Sequence, residues 1–184
     1  MDPIVIGGVA GAIGSVVTAL TTQFFMSRTK ALELRHADLV DARQRRAEES
    51  LARQSQVRRS YVDLNSSARE LLATLTDLLR AVEADEVRDD ERNALEQARY
   101  DYRICYAEAQ LSASDEVLTA ASSVDKALTN LFGVVKRFDK GISRDGESFR
   151  GAEKKRQEIW GRLSTLRSLM REDLGVSGSP PGES

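Results

Sequence analysis

Apolar and polar positions divide the chain into three segments with different patterns. Residues 4–26 contain no charged side chain, and residues 27–56 are rich in charge and lack a broad apolar stripe. From residue 57 to residue 174, apolar side chains recur at alternating spacings of four and three. That spacing is typical of α-helices that bury one face. The chain is therefore predicted to be all-α.

Residues 4–26 are predicted to form a transmembrane helix that anchors the protein. These 23 residues span about 34 Å as an α-helix, which covers the roughly 30 Å of a bilayer core. A cleaved signal peptide is the alternative interpretation. Met1, Asp2 and Pro3 supply no basic start for one, and no small-residue cleavage pattern follows Phe25.

The charges on either side of this segment predict its orientation. Before it stand only the N-terminal amino group and Asp2, whereas Arg28, Lys30 and Arg35 follow it. Because the side richer in Lys and Arg stays in the cytoplasm, we expect a single-pass protein of the cell membrane. Its N-terminus would lie outside and its C-terminal domain in the cytoplasm. The same three basic side chains are predicted to contact lipid head groups.

Small residues line one face of the predicted anchor. Gly7, Gly11 and Ser15 follow one another at spacings of four. Small residues allow two membrane helices to approach closely, so this face predicts self-association into a homo-oligomer. The alternative is that these residues reflect only the general abundance of Gly in membrane helices.

Residues 27–56 are predicted to form a charged helical stalk. Asp41, Arg45, Glu49 and Arg53 alternate in sign at spacings of four, which favours a solvated helix with ion pairs along it. The basic run at residues 43–46 could contact phosphates. Acids interrupt the basic residues and aromatic platforms are missing, so a solvated face is favoured over nucleic-acid binding.

Residues 57–174 are predicted to form an antiparallel four-helix bundle, because each helix carries one apolar seam and the connections are short. The seams of the first two helices contain Val57, Tyr61, Leu64, Ala68, Leu71, Leu75, Leu78 and Val82, widened by Leu72 and Leu79, and then Leu95, Ala98, Tyr102, Cys105 and Ala109. Those of the last two contain Val117, Ala121, Val124, Leu128, Leu131, Val135 and Phe138, and then Ala152, Ile159, Leu163, Leu166 and Met170, with Trp160 beside them.

Turn-forming residues predict where these helices end. We expect a turn near residues 84–90, a new helix capped by Ser114, a helix end at Gly141, and a last helix from Ser148 to Leu174. The alternative joins the second and third helices into one rod, which gives a long helical hairpin or three-helix coiled coil. Residues 175–184 are rich in Gly, Ser and Pro and are predicted to be a disordered tail.

The order of these parts resembles that of small actinobacterial membrane proteins. Such proteins have one Gly/Ala-rich N-terminal span, an Arg-rich juxtamembrane helix and a helical bundle. The resemblance is carried by Arg58-Arg59-Ser60-Tyr61 at the entrance to the bundle and by Leu111-Ser112-Ala113-Ser114-Asp115-Glu116-Val117 at its second turn. It implies an architecture and no activity, cofactor or site residue.

Candidate chemistry is sparse. His36 is the only histidine; with Glu33 it matches half of a di-iron ligand pattern that needs a second such pair, so we predict no metal site. The net charge of −2 disfavours a nucleic-acid partner. Cys105, the single cysteine, is expected to act as a small hydrophobe, while Tyr100 and Tyr106 are expected on the bundle surface or at a partner contact.

These observations predict an interaction protein: an adaptor, tether or assembly subunit with lipid and a protein as partners. No catalytic activity, cofactor or small-molecule substrate is predicted, because no catalytic constellation is recognisable. The alternative from another class is an oligomerising membrane-active effector that permeabilises the bilayer through its weakly hydrophobic, Gly-rich span.

Overall fold

The computed structural model describes the backbone of residues 6–176 and the side chains of residues 43–176. Within residues 6–176 the secondary structure consists of four α-helices and no strand. They are α1 (Ile6–Ala84), α2 (Asp89–Ser112), α3 (Asp115–Asp139) and α4 (Phe149–Asp173). The prediction of an all-α fold with a four-helix bundle is confirmed.

The chain divides into two units, Met1–Ala52 and Arg53–Ser184. In the first unit the described side chains, those of residues 43–52, are all exposed. Of the predicted ion pairs, Arg45–Glu49 and Glu49–Arg53 do not form among the described residues. Asp41 lies outside the residues whose side chains are described. Fully solvated side chains gain only a few tenths of a kcal/mol from such a pair, which is too little to hold them together.

The second unit is a bundle in which neighbouring helices alternate in direction. At one end, the Ser112 hydroxyl at the close of α2 donates to the Ser60 hydroxyl of α1 at 3.1 Å, and Tyr61 of α1 bonds to Asp173 at the end of α4. At the other end, the start of α2 meets the end of α3, where Arg92 donates to Asp139 at 2.9 Å. Each helix of the bundle is thus antiparallel to the one before it, as short connections require.

Helices α3 and α1 each end at a residue in the left-handed backbone conformation. After α3, the amide of Ile142 donates to the carbonyl of Arg137 and that of Gly141 to the carbonyl of Phe138, both at 2.9 Å, with Gly141 at φ 67°. This is a Schellman motif, which uses the left-handed conformation that Gly adopts without a Cβ penalty. Asp85 takes the same role after α1 with φ 54°, although it is not a glycine.

The break between α2 and α3 lies at Ala113 and Ser114, both in extended conformation, so the single-rod alternative is wrong. Ser114 occupies the predicted N-cap position, but its hydroxyl makes no capping hydrogen bond. Its backbone amide instead donates to the Tyr61 hydroxyl at 3.4 Å. Ser148 caps α4 as predicted, because its hydroxyl accepts from the amide of Gly151 at 3.1 Å.

One hydrophobic core fills the bundle and follows the predicted seams closely. Among the predicted seam residues, Val57 and Val82 at the ends of the first seam and Cys105 are only half-buried. The core also takes in Phe132 and Val134, which lie outside the predicted seam of α3. A helix that contacts two neighbours buries a stripe wider than a strict heptad seam, which accounts for the additional pair.

Candidate interaction surface and groove on the second helix

Helix α2 carries an apolar stripe on the side opposite to its core-facing residues. The stripe consists of Tyr100, Ile104, Ala107 and Leu111, at spacings of four, three and four. The Leu111 side chain is 91% exposed, that of Tyr100 62% and that of Ile104 43%. The buried face of the same helix consists of Leu95, Ala98, Tyr102 and Ala109. With 3.6 residues per turn, the two sets lie on opposite sides of the helix.

A helix at the surface of a bundle normally has one apolar stripe and one polar face. Single exposed apolar residues are common, whereas a large contiguous apolar patch on the surface is typical of a site that binds another protein or a membrane. Helical geometry places Arg103 along one edge of the outer stripe and Glu108 along the other. We call this surface, residues 100, 104, 107 and 111, the outer stripe.

The side of α2 that faces α3 borders a groove of about 450 Å³. Its apolar wall includes Leu71, Leu128 and Phe132, and its polar wall includes Arg99, Tyr102, Arg103 and Asp125. The rings of Tyr102 and Tyr106 are stacked within it, with centroids 6.0 Å apart and planes inclined by 24°. We call this feature the α2–α3 groove. Its size lies in the range of pockets that hold small molecules.

The hydroxyl of Tyr102 is buried without a hydrogen-bond partner in the α2–α3 groove. Only 3% of this residue is exposed. Burial raises the pKa of Tyr102 far above its ordinary value, and the negative charge of Asp125 raises it further. The Asp125 carboxylate therefore lies close to this hydroxyl and acts on it electrostatically. An unpaired buried hydroxyl costs about 1–3 kcal/mol.

Two cations of the groove also lack acidic partners. The guanidinium of Arg99 lies 3.9 Å from the centroid of the Phe132 ring, a cation–π contact. Neither Arg99 nor Arg103 forms a salt bridge among the described residues, and neither does Asp125. The groove therefore presents separate positive and negative groups and one unpaired hydroxyl.

The site residues predicted from sequence fall elsewhere. Gly7, Gly11 and Ser15 of the predicted self-association face, the predicted lipid contacts Arg28, Lys30 and Arg35, and the Glu33–His36 pair lie outside the residues whose side chains are described. Cys105 is half-buried rather than a full member of the core. Tyr100 is on the surface and Tyr102 is in the core, as predicted. Tyr106, predicted on the surface or at a partner contact, is instead half-buried and packs against the core.

Sequence reasoning missed the outer stripe and the groove. The stripe had a signal, because residues 100, 104, 107 and 111 repeat the heptad spacing in a second phase along the same helix. The groove had none, since Asp125 and Tyr102 belong to different helices and neither spacing nor composition relates them.

Within the described side chains, no group of three or more His, Cys, Asp or Glu residues is placed to hold a metal ion. Nor does any helix in that part of the chain combine the length and the low polarity needed to traverse a membrane. The predicted anchor at residues 4–26 lies outside this part. No protein-family model, curated protein or solved structure matches the chain.

Proposed function

We propose that the protein is a membrane-anchored interaction protein, an adaptor, tether or assembly subunit, whose cytoplasmic helical bundle binds a partner through the outer stripe of α2. The observation that carries the proposal is that α2 has two apolar faces, of which the bundle core uses one. Burial of an Ile or Leu side chain is worth about 1.5–3 kcal/mol. Covering Ile104 and Leu111 therefore gives a partner a substantial gain without any change in the core.

The partner that fits the outer stripe is another helix with the same heptad spacing, and a second copy of the chain supplies one. In a parallel pair of helices, a residue that flanks the stripe on one copy faces the residue five positions later on the other copy. Arg103 of each copy would therefore face Glu108 of the other. In an antiparallel pair Asp101 would instead face Glu108, two like charges. The parallel pair also brings Glu96 towards Asp101, but Lys136 of α3 already pairs with Glu96 at 3.0 Å.

The anchor in this proposal is the uncharged segment at residues 4–26, with the basic residues Arg28, Lys30 and Arg35 on the cytoplasmic side. Support comes from the length of the segment and the asymmetry of its flanking charges. After membrane fractionation, the full chain should resist extraction with carbonate, and a chain that begins at Ser27 should be soluble. A full chain released by carbonate would contradict the anchor.

Photo-crosslinking in intact cells tests the outer stripe. p-Benzoylphenylalanine is placed at position 104 or 111, and at Gln157, an exposed position on α4, as the matched control. We expect a discrete adduct of twice the chain mass from positions 104 and 111 and none from position 157. A discrete adduct of another mass would replace the second copy by a different partner. Equal adduct patterns from all three positions, or none, would refute docking through the outer stripe.

The membrane-active effector is the alternative function, and the observation that favours it is the Gly content of the predicted span. Gly7, Gly8, Gly11 and Gly14 make that span weakly hydrophobic and suited to close helix packing. Induced expression with a fluorescent potential indicator separates the two functions. Rapid loss of membrane potential is expected only from an effector, and an interaction protein should leave the potential intact.

A further inference from the structure

We propose that Asp145 and Gly146 form a self-modification site, at which Asp145 converts slowly to isoaspartate through a cyclic succinimide and so releases the ion pair between Arg137 and Glu147. The two residues lie next to each other in the loop between α3 and α4, and both are exposed. The proposal is independent of the outer stripe and of the predicted anchor, because it rests on this loop alone.

The two residues are the central pair of a closed turn. The amide of Glu147 donates to the carbonyl of Arg144 at 3.0 Å, and the amide of Arg144 donates to the Glu147 carboxylate at 3.1 Å. Between them Gly146 has φ 82°, a left-handed value that Gly adopts readily. Within the described part of the chain the Gly146 amide donates no backbone hydrogen bond, and the Asp145 carboxylate forms no salt bridge. The two groups that must react are therefore both available.

The reaction needs only water and balances without a further reactant. The backbone nitrogen of Gly146 bonds to Cγ of the Asp145 carboxyl group in its acid form, and the amide proton leaves with the carboxyl hydroxyl as water. This step closes a five-membered succinimide ring. Water then opens the ring at one of its two carbonyl carbons. Opening at Cγ restores Asp145, whereas opening at the main-chain carbonyl gives isoaspartate, whose peptide bond to Gly146 runs through the side chain.

Asp145 is the only aspartate of the chain that a glycine follows. A side chain on the following residue hinders the approach of its amide nitrogen to the carboxyl carbon, and Gly has none. Asp101 is exposed as well, but it lies inside α2, where the next amide donates along the helix. Storage should therefore modify Asp145 and leave Asp101 intact.

Isoaspartate at this position disturbs the polar contact between α3 and the loop. It adds one carbon atom to the main chain between Arg144 and Glu147, which lengthens the path by about 1.5 Å. A turn closed by a 3.0 Å hydrogen bond cannot take up that length without moving one of its ends. One end is Glu147, whose carboxylate accepts from Nε of Arg137 at 3.0 Å. Conversion of Asp145 therefore separates Glu147 from Arg137 and removes the stabilisation that this pair gives the bundle.

The first test follows isoaspartate in the purified full chain in detergent during storage at neutral pH and a temperature below the unfolding transition. Transfer of a labelled methyl group by protein isoaspartate methyltransferase measures its amount, and electron-transfer fragmentation of peptides gives its position. We expect isoaspartate at residue 145, none at Asp101, and none in an Asp145→Glu protein, whose longer side chain would have to close a less favourable six-membered ring. The parent held in denaturant and Asp145→Asn, which forms the same ring with loss of ammonia, are the positive controls. If both of these convert and the folded parent does not, the native turn protects Asp145 and the proposal is overturned.

The second test asks whether the conversion releases the ion pair. Thermal melts compare the fresh parent, the stored parent, and the stored parent after repair by the methyltransferase with S-adenosylmethionine. We expect storage to lower the melting temperature of the parent and repair to raise it again. Glu147→Gln is the matched control, because it has already lost the ion pair and should change much less on storage. A stored parent that contains isoaspartate at residue 145 but melts as the fresh protein does, or an equal loss in Glu147→Gln, would refute the link to the Arg137–Glu147 pair.

Discussion

The hydroxyl of Tyr61 donates a 2.7 Å hydrogen bond to Oδ2 of Asp173, a residue 112 positions further along the chain. The ring of Tyr61 is buried, and burial together with this hydrogen bond raises the pKa of the hydroxyl. The bond joins the first helix of the bundle to the last turn of α4. It is a fixed polar contact at the end of an otherwise apolar core.

Tyr61→Phe should therefore destabilise the bundle. The variant leaves the ring in place but removes a hydrogen bond to a charged group, which is worth about 1.5–3 kcal/mol. Chemical denaturation of the parent and the variant measures the free energy of unfolding. Tyr100→Phe, on the exposed face of α2, is the control and should change stability by less than about 0.5 kcal/mol. Equal effects at the two positions would show that the Tyr61–Asp173 bond adds nothing.

Leu75→Ala should be strongly destabilising because Leu75 is completely buried in the middle of the core. A cavity at such a site costs about 2–5 kcal/mol in the free energy of unfolding. Arg45→Ala, at an exposed position on α1, should cost almost nothing. A small loss at Leu75 would contradict the placement of the core.

Asp85→Gly should stabilise the protein. Asp85 adopts φ 54° at the end of α1, a left-handed conformation that costs an L-residue about 1–2 kcal/mol and costs Gly nothing comparable. Gly also has more conformational freedom in the unfolded chain, which offsets part of this effect. We therefore expect the free energy of unfolding to rise by about 0.5–1 kcal/mol. The reverse change, Gly141→Ala at φ 67°, should destabilise by about 1 kcal/mol. Thermal melts of both variants measure this, and shifts in the same direction would refute the strain argument.

Acid should weaken the ion pair between Arg137 of α3 and Glu147 in the loop before α4, and so lower the free energy of unfolding. Hydrogen bonds from Arg137, one of them 3.0 Å long, lower the pKa of Glu147 from 4.5 to about 2. A carboxyl group whose pKa is depressed by folding stabilises the native state above its unfolded pKa. That stabilisation is lost as the pH falls from about 4.5 to about 2.

Glu147→Gln should accordingly be less stable than the parent at pH 7, and the difference should shrink towards pH 2. Glu158→Gln, exposed on α4, should leave the free energy of unfolding at pH 7 nearly unchanged. Denaturation at several pH values measures both variants. A difference between Glu147→Gln and the parent that stays constant down to pH 2 would contradict the assignment.

Gly11→Leu should reduce self-association of the predicted membrane helix, because it fills the small-residue face formed by Gly7, Gly11 and Ser15. No hydrophobic force brings helices together within lipid, so the shape of that face decides. A membrane two-hybrid assay measures association, and Val17→Leu, off that face, should behave as the parent does. If Gly11→Leu associates normally, the small residues are ordinary membrane composition.

The helices and the core residues of the bundle could be predicted from the sequence, because buried apolar residues recur with the helical period. Leu64, Leu75 and Leu166 could be placed from spacing alone, and so could the helix ends at Gly141 and Ser148. Spacing failed where a contact depends on two distant polar groups, as with Tyr61 and Asp173 or Tyr102 and Asp125. It also failed for the capping role of the Ser114 hydroxyl, which makes no capping hydrogen bond although Ser114 occupies the N-cap position.

The bond between Tyr61 and Asp173 also fixes when the bundle can be completed during synthesis. Ribosomes add roughly 5–20 residues per second, so the 112 residues from Val62 to Asp173 take about 6–22 seconds to translate. Throughout that interval the nascent α1, α2 and α3 expose the apolar surface that α4 will cover. A chaperone that shields nascent chains has that interval in which to act, and a chain cut short before α4, which begins at Phe149, keeps the exposed surface permanently.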